Sequence, residues 1–131
     1  MLLTRDQILT ADDLVTETVE VPEWGGSVLV RGMSGTQRDK FEADIVNARG
    51  QKDVRLNMAN IRARLVAASL VDENGDLLFD IKDITALGKK SAVALQRVFD
   101  KAKILSGIVE DDVQELADKL EENSFEGSVS D

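Results

Sequence analysis

Few side chains in this sequence could do chemistry. The 131 residues contain no histidine, cysteine or tyrosine, so the commonest general base, the thiolate and the phenolic acid are all missing. Two carboxylate pairs, Asp12-Asp13 and Asp111-Asp112, could be proposed as acid–base groups. Adjacent positions on a strand or helix point apart, however, so these pairs suit caps or solvent-facing turns. We therefore expect no catalytic residues and a protein that is not an enzyme.

One segment resembles a calcium-binding loop. Asp72, Asn74 and Asp76 fall at the first, third and fifth positions of an EF-hand loop. That loop also needs glycine at position six and glutamate at position twelve, where this sequence has Leu77 and Asp83. The Asn-Gly pair inside the segment instead predicts a tight turn. We expect no metal site here.

A second segment, GKKS at residues 88–91, ends like a phosphate-binding loop. The first glycine of that motif would stand five residues earlier, at Asp83. No other nucleotide or metal motif occurs, so no cofactor is expected.

The charge is unevenly placed. The formal net charge is −9, and residues 110–131 hold nine of the 25 acidic residues but one of the 16 basic ones. A near-neutral body with an acidic end argues against nucleic acid as a partner. No apolar run is long enough to span a membrane, and the N-terminus lacks a signal-peptide pattern. We expect no membrane partner and a cytoplasmic location.

Hydrophobic periodicity supplies the elements that would position any functional surface. Residues 15–31 read as a β-hairpin, and Ser34 with Gln37 forms a capping-box pattern. The predicted elements are a short helix at 5–9, strands at 15–21 and 27–31, helices at about 34–48, 54–71, 83–87 and 90–105, a small turn-strand at 72–79, and an acidic helix from 110.

The predicted helix at 54–71, VRLNMANIRARLVAASLV, has two apolar faces. Met58, Ile61 and Leu65 lie on one ridge, and a face of smaller residues lies opposite. A surface helix normally has one apolar stripe. This helix must therefore lie between two neighbours, or give one face to the core and the other to a partner; we favour the core for the ridge.

Other apolar residues could also meet a partner. Trp24, at the hairpin turn, is expected to fold over the sheet, although an exposed tryptophan could anchor a partner. Phe41 and Ile45 form the narrow stripe of the 34–48 helix. The candidate partner-binding residues are Met58, Ile61, Leu65, Trp24, Phe41 and Ile45.

The order of motifs resembles a known family. It runs from LLTRDQIL through VPEWGGSVLVRGMSG and ARLVAASLVDENGDLLF to LSGIVEDDVQELADKLEEN. This order, from Leu3 to about Asn123, is similar to the tail assembly chaperones of bacteriophages with long, non-contractile tails. The specificity lies in the order of the motifs, since none of them is catalytic.

The resemblance implies a function. Such chaperones occur as a short form and a longer form made by ribosomal frameshifting, and this chain looks like the short form. Both forms are thought to bind the tape measure protein and keep it soluble, and then to recruit tail tube subunits. The resemblance therefore implies a tape measure partner, a tail tube partner through the longer form, action in the host cytoplasm and absence from the mature virion. Self-association into a homo-oligomer is also expected.

Two other classes stay open. A structural virion component, such as a head–tail connector or tail tube protein, has a similar size. A helix-turn-helix regulator around Gly88 is disfavoured, because no arginine-rich helix follows. In all cases we predict an α+β fold, mostly helical, in which the N-terminal hairpin packs beside about four helices. Residues 1–123 should form one domain, and residues 124–131 a disordered acidic tail.

Overall fold

The computed structural model describes residues 1–47 and 60–108. Its elements are α1 (Arg5–Thr10), β1 (Thr16–Val21), β2 (Gly26–Arg31), α2 (Gly35–Asn47), α3 (Ile61–Ser69), β3 (Leu70–Val71), α4 (Ile84–Gly88) and α5 (Ala92–Leu105), with 3₁₀ turns at Pro22–Trp24 and Ile81–Asp83. A small antiparallel sheet with helices beside it is the α+β architecture that the sequence predicts. The predicted end of the 34–48 helix, the acidic helix from residue 110 and the tail at 124–131 lie outside the described residues.

The predicted hairpin is present. β1 and β2 pair antiparallel along all six residues of each strand. Strand alternation places Val19, Val21 and Val30 on the buried face of the sheet. Gly25 follows the 3₁₀ turn with a φ of 79°, a left-handed conformation that glycine adopts without a steric penalty. The hairpin therefore forms from local signals, namely alternation and a turn glycine.

A third strand corrects the prediction for the helix at 54–71. Leu70 and Val71 leave the helix and pair antiparallel with β2, which places β3 on the far side of β2 from β1. The described helix ends at Ser69. Strand pairing outweighs helical periodicity here, because it satisfies backbone groups of β2 that would otherwise stay open.

The predicted tight turn follows β3. Asp72 Oδ1 accepts hydrogen bonds from the backbone N–H groups of Asn74, at 2.8 Å, and Asp76, at 3.1 Å. Gly75 has a φ of 86°, which this turn requires. The turn brings Leu77 back into a β-bridge with the end of β3.

Two helices begin with capping boxes, and the one at Ser34 is the box that the sequence predicts. The Thr4 hydroxyl accepts from the N–H of Gln7, and the Gln7 side chain accepts from the N–H of Thr4. Ser34 and Gln37 repeat this arrangement at α2. The boxes satisfy N–H groups that the first turn of a helix leaves open.

Helix α3 lies at the centre of the core and packs against α2, α4 and α5. Its two-faced pattern is therefore explained by neighbours on both sides. The helix is buried almost all round, and its buried residues are Ile61, Ala63, Leu65, Val66, Ala67 and Ser69.

Helix α5 covers the sheet with one apolar face. It contacts β1, β2 and α3, and buries Ala94, Leu95, Val98, Phe99 and Ala102. Val93 and Ile104, which the sequence places on the polar side, are 63% and 71% exposed.

The end of α5 meets the start of α2. The N–H of Met33 donates to Ser106 Oγ at 3.0 Å. Gly32 lies against the backbone of Leu105 so closely that a Cβ would collide with the Leu105 carbonyl oxygen. Gly107, with a φ of 68°, then ends the helix.

Candidate functional site

A groove opens beside α3. One wall is α2, the other is the segment from Leu77 to Ile84, and the floor is the last part of α3. The groove has a volume of about 400 Å³. Its apolar lining consists of Phe41, Ala67, Ala68, Leu77, Phe79, Ile81 and Ile84.

The groove exists because its floor is made of small side chains. Ala67 and Ala68 present single methyl groups to the space between α2 and the opposite wall. Ala67 is buried, and Ala68 is partly buried against the core. The alanines therefore leave a depression that a leucine or isoleucine in α3 would fill.

The outer wall exposes large apolar side chains. Leu77 is 46% exposed and Ile81 is 57% exposed. A capping box closes the 3₁₀ turn around Ile81, because Asp80 accepts from the N–H of Lys82, at 3.0 Å, and Asp83 accepts from the N–H of Asp80, at 3.1 Å. Neighbouring exposed apolar side chains in a concave surface are typical of a contact site.

Charged residues surround this apolar lining. Lys40 lies 3.4 Å from Asp44 on α2, and Lys82 lies 3.8 Å from Asp80 on the opposite wall. Such exposed ion pairs contribute little to stability and exchange partners readily. Arg64 is half-buried in the floor, and its Nε is buried with no hydrogen-bond partner among the described residues.

The groove offers contact surface more than chemistry. Its polar lining of lysine, arginine, aspartate and glutamine holds no nucleophile–base pair. Within residues 1–47 and 60–108, no three histidine, cysteine or acidic residues form a group that could hold a metal ion. In the same part of the chain, no helix combines the length and the hydropathy needed to cross a membrane.

Comparison with known proteins identifies the family. A family model described as phage tail assembly chaperone matches residues 5–119. The chain belongs to the phage tail assembly chaperone family. No curated protein and no solved structure matches it. The family match confirms the resemblance seen in the sequence.

Membership in the tail assembly chaperone family supports a role in phage tail assembly and tail proteins as partners. It also suggests a protein that is not an enzyme, which agrees with the shortage of catalytic side chains.

The six residues predicted to bind a partner do not lie on one surface of this chaperone. Ile61 and Leu65 are 6% and 1% exposed, so the described part of their ridge faces the core, as favoured from the sequence. Met58 lies outside the described residues. Phe41 reaches the groove but is 7% exposed, and Ile45 is buried in the core.

Trp24 lies elsewhere on the chaperone. It is half-buried and packs against the core from the hairpin turn, as expected from its position. Its indole Nε1 is buried with no hydrogen-bond partner among the described residues.

The sequence did not reveal the outer wall of the groove as a site. For Leu77, Phe79 and Ile81 the sequence predicts only a turn-strand and the approach to a short helix. One feature of the sequence does point to this wall. The apolar run between the turn and the five-residue helix is too short to cover its own side chains. Such a run must pack on neighbours or remain exposed.

Proposed function

We propose that this chaperone is a non-enzymatic assembly factor that holds an apolar helical segment of the tape measure protein in the groove. A groove between two walls, with an apolar floor and a charged rim, suits an amphipathic helix that presents its apolar face. The observation that supports this most directly is the exposure of Leu77 and Ile81 beside the alanine floor.

The charged rim suits the polar edge of the same client. Lys40 and Lys82 stand around the apolar lining with Asp44 and Asp80, and Arg64 lies in the floor. A helix that carries both charge signs beside its apolar face could pair with either wall. The apolar contacts would supply the affinity, and the rim charges would fix the orientation.

The rest of the proposal follows the family resemblance. The chain would be the short form of a frameshifted pair and would self-associate. The longer form would recruit tail tube subunits to the tape measure protein. Both forms would act in the host cytoplasm and leave before the virion matures.

Co-expression with the tape measure protein tests the proposal. The unsubstituted chaperone should keep the tape measure protein soluble and co-purify with it. Ile81→Asp should lose both effects, because it places a charge in the apolar wall. Ile81 is exposed, so this variant should fold as judged by circular dichroism and thermal melting.

Ile104→Asp is the matched control. Ile104 is also a large exposed apolar residue, but it lies on α5 and does not line the groove. This variant should keep full co-purification. Loss of binding in both variants, or in neither, would remove the groove from the proposal, and no binding by the unsubstituted chain would overturn the function itself.

Mass spectrometry of purified virions provides an independent test. An assembly chaperone should be absent from mature particles. Its presence at a fixed copy number would favour a structural component such as a head–tail connector or tail tube protein.

A further inference from the structure

The N-terminal arm, defined as residues 1–13, is a second apolar surface without a covering partner in the described structure. Every residue of the arm is exposed, and α1 buries none of its six residues. The exposed apolar residues are Met1, Leu2, Leu3, Ile8 and Leu9. A soluble chain seldom leaves so many large apolar side chains together on one short segment without a use for them.

The arm also has a defined shape. The capping box of Thr4 and Gln7 starts α1. Leu3 and Ile8 occupy the positions flanking this box that pack together in a hydrophobic staple. A helix of six residues is too short to be stable alone in water. The helix would therefore be stabilised if its exposed apolar residues packed against an apolar surface.

Charge indicates which surface that is. The arm carries one basic residue, Arg5, and three acidic ones, Asp6, Asp12 and Asp13. The groove is lined by three basic residues and two acidic ones, in a chain whose net charge is −9. The acidic arm and the slightly basic groove carry opposite charge and therefore attract each other.

We propose that the arm of one copy docks in the groove of a second copy, with Ile8 and Leu9 against the apolar wall at Leu77 and Ile81. This inference rests on the proposed use of the groove as a binding surface, and it names the surfaces through which the chain would self-associate. Arm and groove are different surfaces, so each copy can give an arm to one neighbour and take one from another. Repeated from copy to copy, the contact produces rings or open chains. A client helix would compete with the arm for the same groove.

Measuring mass by light scattering during size-exclusion chromatography tests the contact. For the unsubstituted chain, the measured mass should exceed that of one copy and should increase with protein concentration. The arm variant is Ile8→Asp with Leu9→Asp, and the groove variant is Ile81→Asp. Each variant should have the measured mass of one copy. The Ile104→Asp control should behave like the unsubstituted chain.

Mixing the two monomeric variants makes the test specific. The arm variant keeps an intact groove and the groove variant keeps an intact arm, so one contact is restored. The mixture should form a complex of two copies, one of each variant. Its measured mass should not increase beyond two copies, because no second contact can form. Failure to form this complex, or a single-copy mass for the unsubstituted chain at every concentration, would overturn the proposal.

A third measurement separates this proposal from the proposed function. The arm variant keeps the groove and should still co-purify with the tape measure protein. If the arm variant binds this client but assembles like the unsubstituted chain, the arm contact is wrong and the chaperone function stands. If the arm docked in its own groove, the unsubstituted chain would remain a single copy, and that result also counts against the second-copy contact.

Discussion

Glu23 and Arg97 form a two-point ion pair that fastens the tip of the hairpin to the middle of α5. Oε1 of the glutamate lies 2.5 Å from Nη1 of the arginine, and Oε2 lies 3.0 Å from Nη2. Lys101 makes a parallel contact, 2.8 Å from Glu17. The hairpin is thus held on the helix by charge at two places, in addition to its buried valines.

This ion pair predicts a pH dependence of stability. Hydrogen bonds from the Arg97 side chain and from the backbone lower the pKa of Glu23 from 4.5 to about 2. Because the folded pKa lies below the unfolded one, the contribution is present above pH 4.5 and is lost as the pH falls toward 2. Glu23→Gln should therefore destabilise the protein at neutral pH and have less effect in acid. Urea unfolding at about pH 7 and about pH 3 measures this difference.

Glu20→Gln is the control for that measurement. Glu20 lies three residues before Glu23, in β1, and is exposed. Its substitution should change the free energy of unfolding less than Glu23→Gln at neutral pH. Equal effects of the two substitutions would mean that the ion pair with Arg97 contributes nothing.

Two glycines three residues apart should respond oppositely to alanine. Gly32 is buried, and a Cβ there would meet the backbone oxygen of Leu105, so Gly32→Ala should cost about 1–3 kcal/mol. Gly35 begins α2 and has open space around it. Gly35→Ala should stabilise by about 0.4–1 kcal/mol, since it restricts the unfolded chain. Chemical denaturation of both variants checks the pair, and similar values would contradict the close approach at Gly32.

Leu65→Glu should unfold the protein. Leu65 is 1% exposed, and an unpaired carboxylate cannot be buried there without a large penalty. The milder Leu65→Ala should cost about 2–5 kcal/mol. Arg62→Ala, one turn earlier and exposed, should leave the circular dichroism spectrum unchanged. A folded Leu65→Glu variant that has lost its client would instead place this residue in an interface.

Two serines should also behave in opposite ways. Ser69 is fully buried, and its Oγ has no hydrogen-bond partner among the described residues, so Ser69→Ala should raise stability by about 1 kcal/mol. Ser91 Oγ accepts from the N–H of Ala94 and caps α5, so Ser91→Ala should lower stability by about 1 kcal/mol. Thermal melting of the two variants compares them. A loss of stability in Ser69→Ala would reveal a partner for that hydroxyl.

Local signals made much of the fold predictable. The capping box of Ser34 and Gln37, the Asn-Gly turn and the hairpin at 15–31 each depend on residues close together in the chain, and the structure confirms them. The end of α3 was missed because Leu70 pairs with Val30, a partner forty residues away. No periodicity within one segment can report such a partner.

The groove was hidden for a related reason. It needs Phe41 from α2, Ala67 from α3 and Ile81 from the following segment, and each looks ordinary in its own element. The sequence favoured large apolar residues as contact points, whereas the open surface depends on small ones. The residues predicted on that basis are mostly in the core.

The direct junction between α3 and β3 has a mechanical consequence. Ser69 ends the helix and Leu70 begins the strand, with no linker between them. A slip of one residue in the strand pairing would turn Leu70 to the opposite face of the sheet, so α3 cannot slide along its axis. The floor of the groove is therefore held in place, and the outer wall is joined to the sheet at the bridge between Leu77 and Val71. A bound segment that widened the groove would therefore displace its walls and not its floor.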